Sequence, residues 1–421
     1  MVFLQNINQI DPGNLFIIPI LSDSKQHYLT NRISFIYLFN LETYQEYILN
    51  YHHNDSCQYL GTLELKDLDR IVYCYKKKFL GPQQQDMKGI QAKDSIKIYE
   101  AELVFWFQTN QRLKVEFNST INQFHSWYQD RQNINDIIPI MKWIEYCREV
   151  KDRWIIQFNQ FKIDDAFLEY DRMIDGLTEI ERNGIGQNEY SDYSIFSLTG
   201  RPSNHFNGIN YSALNKSDGS RKRFISRFSD GFLIEIDLSG FHLYLLHLIL
   251  NIPFPENIYE VLGKIYFKKN ELSNEELTES KTITFRQIYG GIDREYQSIE
   301  PFKSIHNLER QVFIDYKLNN LKTFLFDRKV NLENLPGLNQ SKIFNYLLQN
   351  LETEFNSNLI RKLNDFLKVK HSKLILYNYD SFLIDYSSSD QCLKSILDIF
   401  EDIPFKVKAG KNYHQMKIMK I

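Results

Sequence analysis

The sequence predicts an α+β protein in which strands and long helices occupy separate stretches of the chain. Short apolar runs with strand-like alternation lie at about 12–55 and again at about 373–386. Apolar residues recur at three- and four-residue spacing over about 117–185, and helices are expected to fill 256–368. Neither an internal repeat nor a low-complexity linker interrupts the 421 residues, so we expect a few packed subdomains.

The first strands come before the first long helices. "NLFIIPIL" is typical of a buried strand, and "RISFIYLF" and "QEYILNY", separated by "NLET", are typical of a hairpin. Two long helices are predicted in "INDIIPIMKWIEYCREV" and "AFLEYDRMIDGLTEIERNG", the second ended by Gly184.

Strands return around two aspartates in the second half. "FLIEIDLSG" is strand-like and continues into the helical "FHLYLLHLIL", while "KLILYNYDSFLIDY" predicts a hairpin. A helix in "DQCLKSILDIFED" and closing strands in "FKVKAGKNYHQMKI" complete the chain. We expect the strand at Asp237 and the hairpin at Asp380 to be neighbours in one antiparallel sheet with helices on one face.

Composition excludes a polycationic protein. The formal net charge is −3, so nucleic-acid binding would depend on local basic clusters such as "YKKKF" (75–79) and "SRKRF" (220–224). Either cluster taken alone is more often a solvated surface run.

Cysteine spacing favours a reducing cytoplasm, because no CxxC pair indicates a zinc site and no disulfide framework is evident. The four cysteines are Cys57, Cys74, Cys147 and Cys392. The N-terminus lacks the regions of a signal peptide, and the most apolar run, "FHLYLLHLILNIPF", is too short to span a membrane. We therefore expect a cytoplasmic protein without a membrane partner.

Two aspartates and one helix carry the predicted chemistry. Asp237 and Asp380, at separate strand ends, would suit a pair of Mg²⁺ ions because hard cations prefer oxygen ligands. In "ESKTITFRQIYGGI" a helix puts Lys281, Phe285 and Tyr289 on one stripe, which suits the phosphates, sugar and base of a nucleotide. Taken singly, the aspartates are more often turn or cap residues, and an aromatic stripe is more often core.

The amides of "KIFNYLLQN" add a possible contact with a duplex. Asn345 and Gln349 share one helical face, from which they could reach minor-groove acceptors. Either amide alone would be an ordinary surface residue.

In this order, the segments of about 160–421 resemble the motifs of family A DNA polymerases, the group of bacterial DNA polymerase I and many phage replicases. "TGRPSN" is similar to TGRLSS, and "SDGSRKRFISRF" to the basic strand pair that follows it. "IDLSGFHLYLL" stands at motif A, DYSQIELR; "KTITFRQIYG" matches motif B, KxxxFxxxYG; "YNYDSFLID" stands at motif C. "NIYEVLG" resembles the DIH segment, "NYLLQ" matches NxxxQ, and "KVKAGKNYHQM" resembles GxNWxxAH.

The resemblance implies a right-hand polymerase with a palm built on an antiparallel sheet and with helical fingers and thumb. It implies a thumb over 116–195, a palm over 196–255 and 341–421, and fingers over 256–340. The implied activity is that of a DNA-directed DNA polymerase, which adds dNTPs to a primer 3′-hydroxyl with two Mg²⁺ ions, Mn²⁺ being able to substitute. Its expected partners are primer-template DNA and dNTPs, and we expect a monomer that serves phage or plasmid replication.

The resemblance also assigns residues to roles. Asp237 and Asp380 would be catalytic and would bind metal together with the backbone carbonyl of Leu238. The implied nucleotide-binding residues are Lys281, Phe285, Tyr289, His242 and Tyr259. The implied DNA-binding residues are Arg201, Arg221, Lys222, Arg223, Asn345 and Gln349.

Several positions depart from the family pattern. Leu277 replaces an arginine ahead of motif B and Tyr259 replaces the DIH histidine, which implies weaker triphosphate binding by the chain. Ser381 and Tyr379 stand where motif C has glutamate and histidine. The residues that would then assist Lys281 are Lys268, Lys269 or Arg286.

Sugar selection stays open because His242 stands where the family has a glutamate that blocks a 2′-hydroxyl. An imidazole can fill that space or hydrogen-bond a 2′-hydroxyl. Single-subunit phage-type RNA polymerases share the lysine and Tyr-Gly of motif B, and some carry HDSF, close to "YDSF" here. An RNA polymerase or primase-like enzyme is therefore one alternative, and a non-catalytic nucleic-acid-binding relative is another.

Residues 1–115 resemble part of a proofreading domain. "ISFIYLFNLETYQEYILNYHHND" is similar to the second and third strands of the RNase H-like exonuclease that family A enzymes commonly carry. The first strand, where the exonuclease has its metal-binding DxE, is "FIIPIL" and has no carboxylate. We predict a shrunken, inactive remnant without 3′–5′ proofreading; an unrelated β-rich domain is the alternative.

Overall fold

The computed structural model describes residues 1–4, 10–55, 71–82, 96–116, 118–186, 189–332 and 335–420. The chain forms two compact units, Met1–Ile174 and Asp175–Ile421, whose boundary falls inside one long helix. No helix in the described ranges is both long and apolar enough to cross a membrane. Cys147 and Cys392 are buried free thiols, Cys74 is buried, and Cys57 lies outside the described residues.

A six-stranded sheet forms the centre of the first unit. Its strands are β1 (Val2–Phe3), β2 (Leu15–Leu21), β3 (Ile33–Asn40), β4 (Glu46–Asn50), β5 (Ile71–Cys74) and β6 (Lys97–Glu100), in the order β1-β4-β3-β2-β5-β6. β2, β3 and β4 pair antiparallel, whereas β5 runs parallel to β2 and β6 parallel to β5. β2 is apolar and almost entirely buried, as expected for a central strand covered on both faces. The predicted first strand and the hairpin after it are confirmed.

Helices of the first unit cover this sheet with aromatic side chains. They are α1 (Lys76–Leu80), α2 (Ala101–Thr109), α3 (Ser119–Trp127) and α4 (Ile140–Phe158), and α5 (Asp165–Asn183) runs across the unit boundary. Phe16 of β2 stacks on Trp154 of α4 with ring centroids 4.3 Å apart, and the Trp154 indole N–H donates to the carbonyl oxygen of Ala101 (2.8 Å). The indole is thus both buried and satisfied. The predicted pair of long helices is confirmed, with Gly184 (φ 63°) directly after α5.

The second unit contains a five-stranded antiparallel sheet and a smaller three-stranded one. The small sheet comprises β7 (Tyr193–Ser194), β8 (Ser203–Phe206) and β9 (Ile209–Asn210); the larger comprises β10 (Phe232–Leu238), β11 (Lys373–Asn378), β12 (Ser381–Tyr386), β13 (Phe405–Gly410) and β14 (Lys417–Ile418). The larger sheet has the order β11-β12-β10-β13-β14. β10 pairs with both β12 and β13, so the strand at Asp237 and the hairpin at Asp380 are neighbours, as predicted.

Helices of the second unit connect the strands of the larger sheet. They are α6 (Phe241–Ile249), α7 (Ile258–Phe267), α8 (Asn274–Gly290), α9 (Phe302–Lys317), α10 (Gln340–Leu367) and α11 (Leu393–Asp398). α10 packs against α6, α8, α9 and β11 and therefore collects side chains from several elements. Ser273 and Glu276 form a capping box that starts α8. The predicted helical stretch is wrong between α9 and α10, where Lys322 and Lys329 form an antiparallel bridge.

Candidate active site

Asp237 and Asp380 lie next to each other on neighbouring strands. Asp237 of β10 pairs with Ser381 of β12, and the Leu238 N–H donates to the carbonyl oxygen of Asp380 (2.8 Å). Burial raises the pKa of the Asp380 carboxyl, and the negative charges of Glu352 and Asp237 raise it further. A cation bound beside Asp380 would offset this negative charge.

The turn that carries Asp380 has an unusual backbone conformation. β11 and β12 pair on either side of a two-residue loop made of Tyr379 and Asp380. Tyr379 has a φ of 56°, a left-handed conformation that is costly for a bulky side chain. The Asn356 amide of α10 donates to the Tyr379 carbonyl oxygen (2.7 Å) and to the Tyr377 hydroxyl (3.0 Å). These bonds hold the loop, and with it Asp380, in place.

A lysine that was not predicted as part of the site lies against Asp237. Nζ of Lys408, on β13, is 2.8 Å from Oε2 of Glu235 and 2.9 Å from Oδ2 of Asp237. Burial acts to lower the pKa of the ammonium, but hydrogen bonds and charge contacts with the two carboxylates outweigh it and raise the pKa. The sequence contained one indication of a nearby cation. Glu235 and Asp237 are two residues apart, so both acids lie on the same face of the strand.

Helix α8 presents the predicted stripe of nucleotide-binding residues. Lys281, Phe285 and Tyr289 follow at four-residue spacing, and the rings of Phe285 and Tyr289 stack with centroids 6.0 Å apart. The exposed Lys281 ammonium lies 5.6 Å from the centre of the Phe285 ring and 5.8 Å from that of Tyr259 on α7. The structure thus brings the four side chains together, with the cation at one end of the aromatic group.

Of the cations expected to assist Lys281, two are already in ion pairs. Lys269 bonds to Glu276 (2.5 Å) and Arg286 to Asp293 (3.1 Å), while Lys268 is exposed directly after α7. The cation of each pair is exposed, and such surface ion pairs contribute about 1 kcal/mol or less to stability. A phosphate could therefore replace the carboxylate as the partner of either cation.

His242 is held at both ring nitrogens. Nδ1 lies 2.6 Å from the Tyr289 hydroxyl, and Nε2 lies 2.6 Å from Oε2 of Glu352 in α10. Burial acts to raise the pKa of Glu352, but the hydrogen bonds and charges of His242 and Arg201 outweigh burial and lower it. The sequence predicted His242 beside the nucleotide, but it did not predict this buried partner.

The same carboxylate binds Arg201. The Nη2 of Arg201 donates to Glu352 (3.0 Å), and the guanidinium carbon lies 3.7 Å from the centre of the Tyr379 ring. Tyr379 offers a flat face on which a guanidinium can stack. Arg201 is therefore fixed beside the turn that carries Asp380.

Asn345 and Gln349 lie one turn apart on α10. Nδ2 of Asn345 donates to the carbonyl oxygen of Tyr289 near the end of α8 (2.7 Å), and Gln349 is partly exposed. Asn345 thus bonds α10 to α8, a structural role that the sequence did not predict.

The basic cluster at 220–224 differs from its prediction. Ser220–Arg223 form a 3-10 turn, so the predicted strand pair is wrong at these residues. Arg221 is buried, donates to the Leu214 carbonyl oxygen (2.8 and 3.1 Å) and lies over the Tyr413 ring. Because its donors are used within the fold, we assign Arg221 to packing. Lys222 and Arg223 are exposed and stay predicted phosphate contacts.

The acidic residues fit a divalent cation when a substrate supplies further ligands. Within the described ranges, no three His, Cys, Asp or Glu side chains gather as a metal-binding group. Asp237 and Asp380 supply two carboxylates, and protein-bound Mg²⁺ is commonly held by one or two carboxylates with water and substrate phosphates. Their mutual repulsion fits a cation at this position.

This sheet, with its paired aspartates and the Lys-Phe-Tyr helix, belongs to a chain that has a DNA polymerase fold. The chain is similar to the POL domain of Pol1 from M. smegmatis, in complex with DNA primer-template and dNTP: the TM-score is 0.66 over 96% of each chain, at 10% sequence identity. No family model and no curated protein matches the sequence. At this identity the likeness establishes the fold, and function must be argued from the site.

Proposed function

We propose that the protein is a template-directed DNA polymerase that adds dNTPs to the 3′-hydroxyl of a primer. The observation that carries the proposal is the pairing of β10 with β12, which brings Asp237 and Asp380 together. The solved domain with this fold was bound to primer-template DNA and dNTP, which supports the same partners here. In this proposal 116–195 form the thumb, 256–340 the fingers, and 196–255 with 341–421 the palm.

Asp237, Asp380 and the backbone carbonyl of Leu238 would hold two Mg²⁺ ions. Such ions activate the primer hydroxyl and offset charge on the reacting phosphates when bound. The chain keeps its own carboxylates in position for this. Asn356 holds the turn of Asp380, and Lys408 holds the side chain of Asp237.

The α8 stripe would bind the incoming dNTP. Lys281 would offset the charge of the triphosphate, while Phe285 and Tyr289 would pack against the base and sugar. Closure of α8 over a correctly paired base would align these groups and would test the shape of the base pair before reaction.

Primer and template would be held by side chains around this site. Arg201, beside the turn of Asp380, would contact the primer end, and Gln349, a partly exposed amide of α10, would contact the duplex. Lys222 and Arg223 would contact backbone phosphates, which makes DNA affinity sensitive to salt.

Primer extension on a DNA template tests the proposal. Wild-type protein with Mg²⁺ should extend a primer with dNTPs, and Asp380→Ala should be slower by about a thousandfold, because several kcal/mol of charge stabilisation are lost. Asp398→Ala removes an exposed carboxylate at the end of α11 and should leave the rate unchanged. Primer-independent synthesis from rNTPs would favour the RNA polymerase or primase-like alternative. DNA binding without incorporation would favour the non-catalytic one.

For residues 1–115 we propose an exonuclease remnant that does not proofread. The antiparallel β2, β3 and β4, followed across the sheet by parallel β5 and β6, agree with an RNase H-like sheet. β2 lacks a carboxylate. Two acids of the first unit are used within the fold: Glu46 pairs with Arg148 (2.6 Å) and Asp171 with the buried Lys76 (3.1 Å).

A mismatched primer tests this second proposal. The protein should not shorten a mismatched 3′ end in the presence of Mg²⁺ and without dNTPs. Metal-dependent removal of the mismatch that is lost on substitution within 1–115 would refute the proposal.

A further inference from the structure

Glu352 is a buried carboxylate that contacts residues on two sides of the proposed site. Only 1% of its side chain is exposed. One contact is His242, which stands at the start of α6 where the sugar of a nucleotide is expected. The other is Arg201, which is expected at the primer end. A buried carboxylate with two such partners can fix both at once.

The hydrogen bonds among Glu352, His242 and Tyr289 indicate which of their atoms carry protons. His242 and Arg201 outweigh burial and lower the pKa of Glu352, so its carboxylate is ionised and can only accept. Nε2 of His242 must therefore carry a proton. Burial is the main cause that raises the pKa of Tyr289 to about 12, so its hydroxyl keeps its proton at neutral pH and can pair with Nδ1 as donor or as acceptor.

A nucleotide sugar beside His242 would meet a ring whose two nitrogens are already bonded. To bond a 2′-hydroxyl, the imidazole would have to release either the Tyr289 hydroxyl or the Glu352 carboxylate. Release of Glu352 would take one of its two partners from a buried charge. The ring is therefore suited to exclude the hydroxyl by its volume. The sequence left open whether His242 hydrogen-bonds a 2′-hydroxyl or fills the space that the hydroxyl would occupy. The geometry favours the second.

Arg201 is oriented by the same carboxylate. Its guanidinium lies between Glu352 and the Tyr379 ring, and its Nε is buried without a hydrogen-bond partner among the described residues. Glu352 thus supplies the negative charge that compensates the partly buried cation. Without it, the guanidinium would be free to turn away from the loop of Asp380.

We propose that Glu352 is a positioning residue that enforces selection of dNTPs by fixing His242 and aligns the primer end by fixing Arg201. This inference rests on the proposed polymerase function. It adds a buried residue of α10 to the determinants of sugar selection.

Glu352→Gln tests the inference because it preserves size and removes the charge. The ratio of kcat/KM for dNTPs to kcat/KM for rNTPs should fall by about tenfold or more, the effect expected when a charge-assisted hydrogen bond is lost. Glu354→Gln is a matched control. Glu354 is buried on the same helix but accepts from the backbone N–H groups of Leu325 and Phe326 (3.0 and 3.2 Å). It should leave the ratio unchanged even if it lowers stability.

A double-mutant cycle separates positioning from a general structural effect. In a His242→Ala background, Glu352→Gln should change the sugar ratio by less than about twofold, because the ring that it positions is gone. An equal change in both backgrounds, or a wild-type ratio in folded Glu352→Gln, would overturn the inference. If Glu352→Gln does not fold, Glu352→Asp, which keeps the charge but shortens the reach, should give an intermediate loss in the same cycle.

A second readout does not depend on activity. Nitrogen-15 NMR of the histidine rings should show a proton on Nε2 of His242 in the wild type and should show the ring nitrogen signals shifted in Glu352→Gln. Unchanged signals would overturn the positioning role. If the wild type incorporates neither dNTPs nor rNTPs, the proposed function fails, and the NMR comparison still decides whether Glu352 holds His242.

Discussion

The ammonium of Lys408 lies 2.9 Å from Oδ2 of Asp237 and ties this aspartate to Glu235, which it contacts at 2.8 Å. Glu235 is almost fully buried and also accepts from the Tyr413 hydroxyl (2.9 Å). β13 therefore supplies the cation that offsets two acids on the neighbouring β10. Lys408 thus holds Asp237 in position independently of any metal.

Removal of this cation should destabilise the protein. Lys408→Met leaves Glu235 buried beside Asp237 without a positive partner, and we expect the free energy of unfolding to fall by about 2 kcal/mol. Denaturant titration measures the change. Lys417→Met removes an exposed lysine of the adjacent β14 and should cost less than about 0.5 kcal/mol. Equal stability of the two variants would contradict this account of Lys408.

Lys281 should act mainly on nucleotide binding. Lys281→Ala removes the positive charge at the end of the stripe, and we expect kcat/KM for dNTPs to fall by about 100-fold, chiefly through a higher KM. Steady-state primer extension measures both constants. Lys264→Ala serves as the control, because Lys264 is an exposed lysine of α7 that pairs with Glu260 (2.8 Å). A similar loss in both variants would point to a general electrostatic effect.

The hydrogen bonds of Asn356 should affect the chemical step instead. Asn356→Ala removes the bond to the Tyr379 carbonyl in the loop of Asp380 and the bond to the Tyr377 hydroxyl on β11, so we expect kcat to fall by about tenfold with little change in the KM for dNTPs. Single-turnover extension would measure the step. Asn358→Ala removes a partly exposed amide, bonded to Arg361, on the same helix and should leave kcat unchanged. A rise in KM alone would argue against control of Asp380 through this turn.

Local pattern was sufficient to predict the elements that carry the main site residues. The alternating residues of "FLIEIDL" predicted β10, and the four-residue spacing of Lys281, Phe285 and Tyr289 predicted their stripe, because period 2 and period 3.6 determine which side chains share a face. The neighbourhood of Asp237 and Asp380 followed from two strand predictions and their antiparallel pairing.

The partners of these residues could not be predicted because they depend on tertiary contacts between distant positions. His242 and Glu352 are 110 residues apart, and Asp237 and Lys408 are 171 apart. Glu352 has no local pattern that distinguishes a buried carboxylate from the exposed ones usual in helices. Arg221 shows the reverse case: a basic run indicated a surface cation, whereas the fold buries this side chain over Tyr413.

Glu100 gives the first unit a stability that should depend on pH. It accepts from the backbone N–H groups of Lys76 (2.9 Å) and Glu102 (3.2 Å), where β6 meets α2. Burial, and after it the charge of Glu102, raises the pKa of Glu100 from about 4.5 to about 8. The folded state therefore binds this proton more tightly than the unfolded state does. The stabilising contribution is complete below about pH 4.5 and is lost as the pH rises through about 8.

Glu100→Gln should remove this dependence, because an amide is neutral throughout the range. The unfolding free energy of the variant minus that of the wild type should become more favourable by about 4 kcal/mol between pH 5 and pH 9. The difference between the two proteins is the informative quantity, since the lost acceptor oxygen costs the variant the same at both pH values. Glu145→Gln, at an exposed site of α4, should show a constant difference. A constant difference for Glu100→Gln as well would mean that the buried carboxyl is ionised throughout, with the N–H groups of Lys76 and Glu102 compensating its charge.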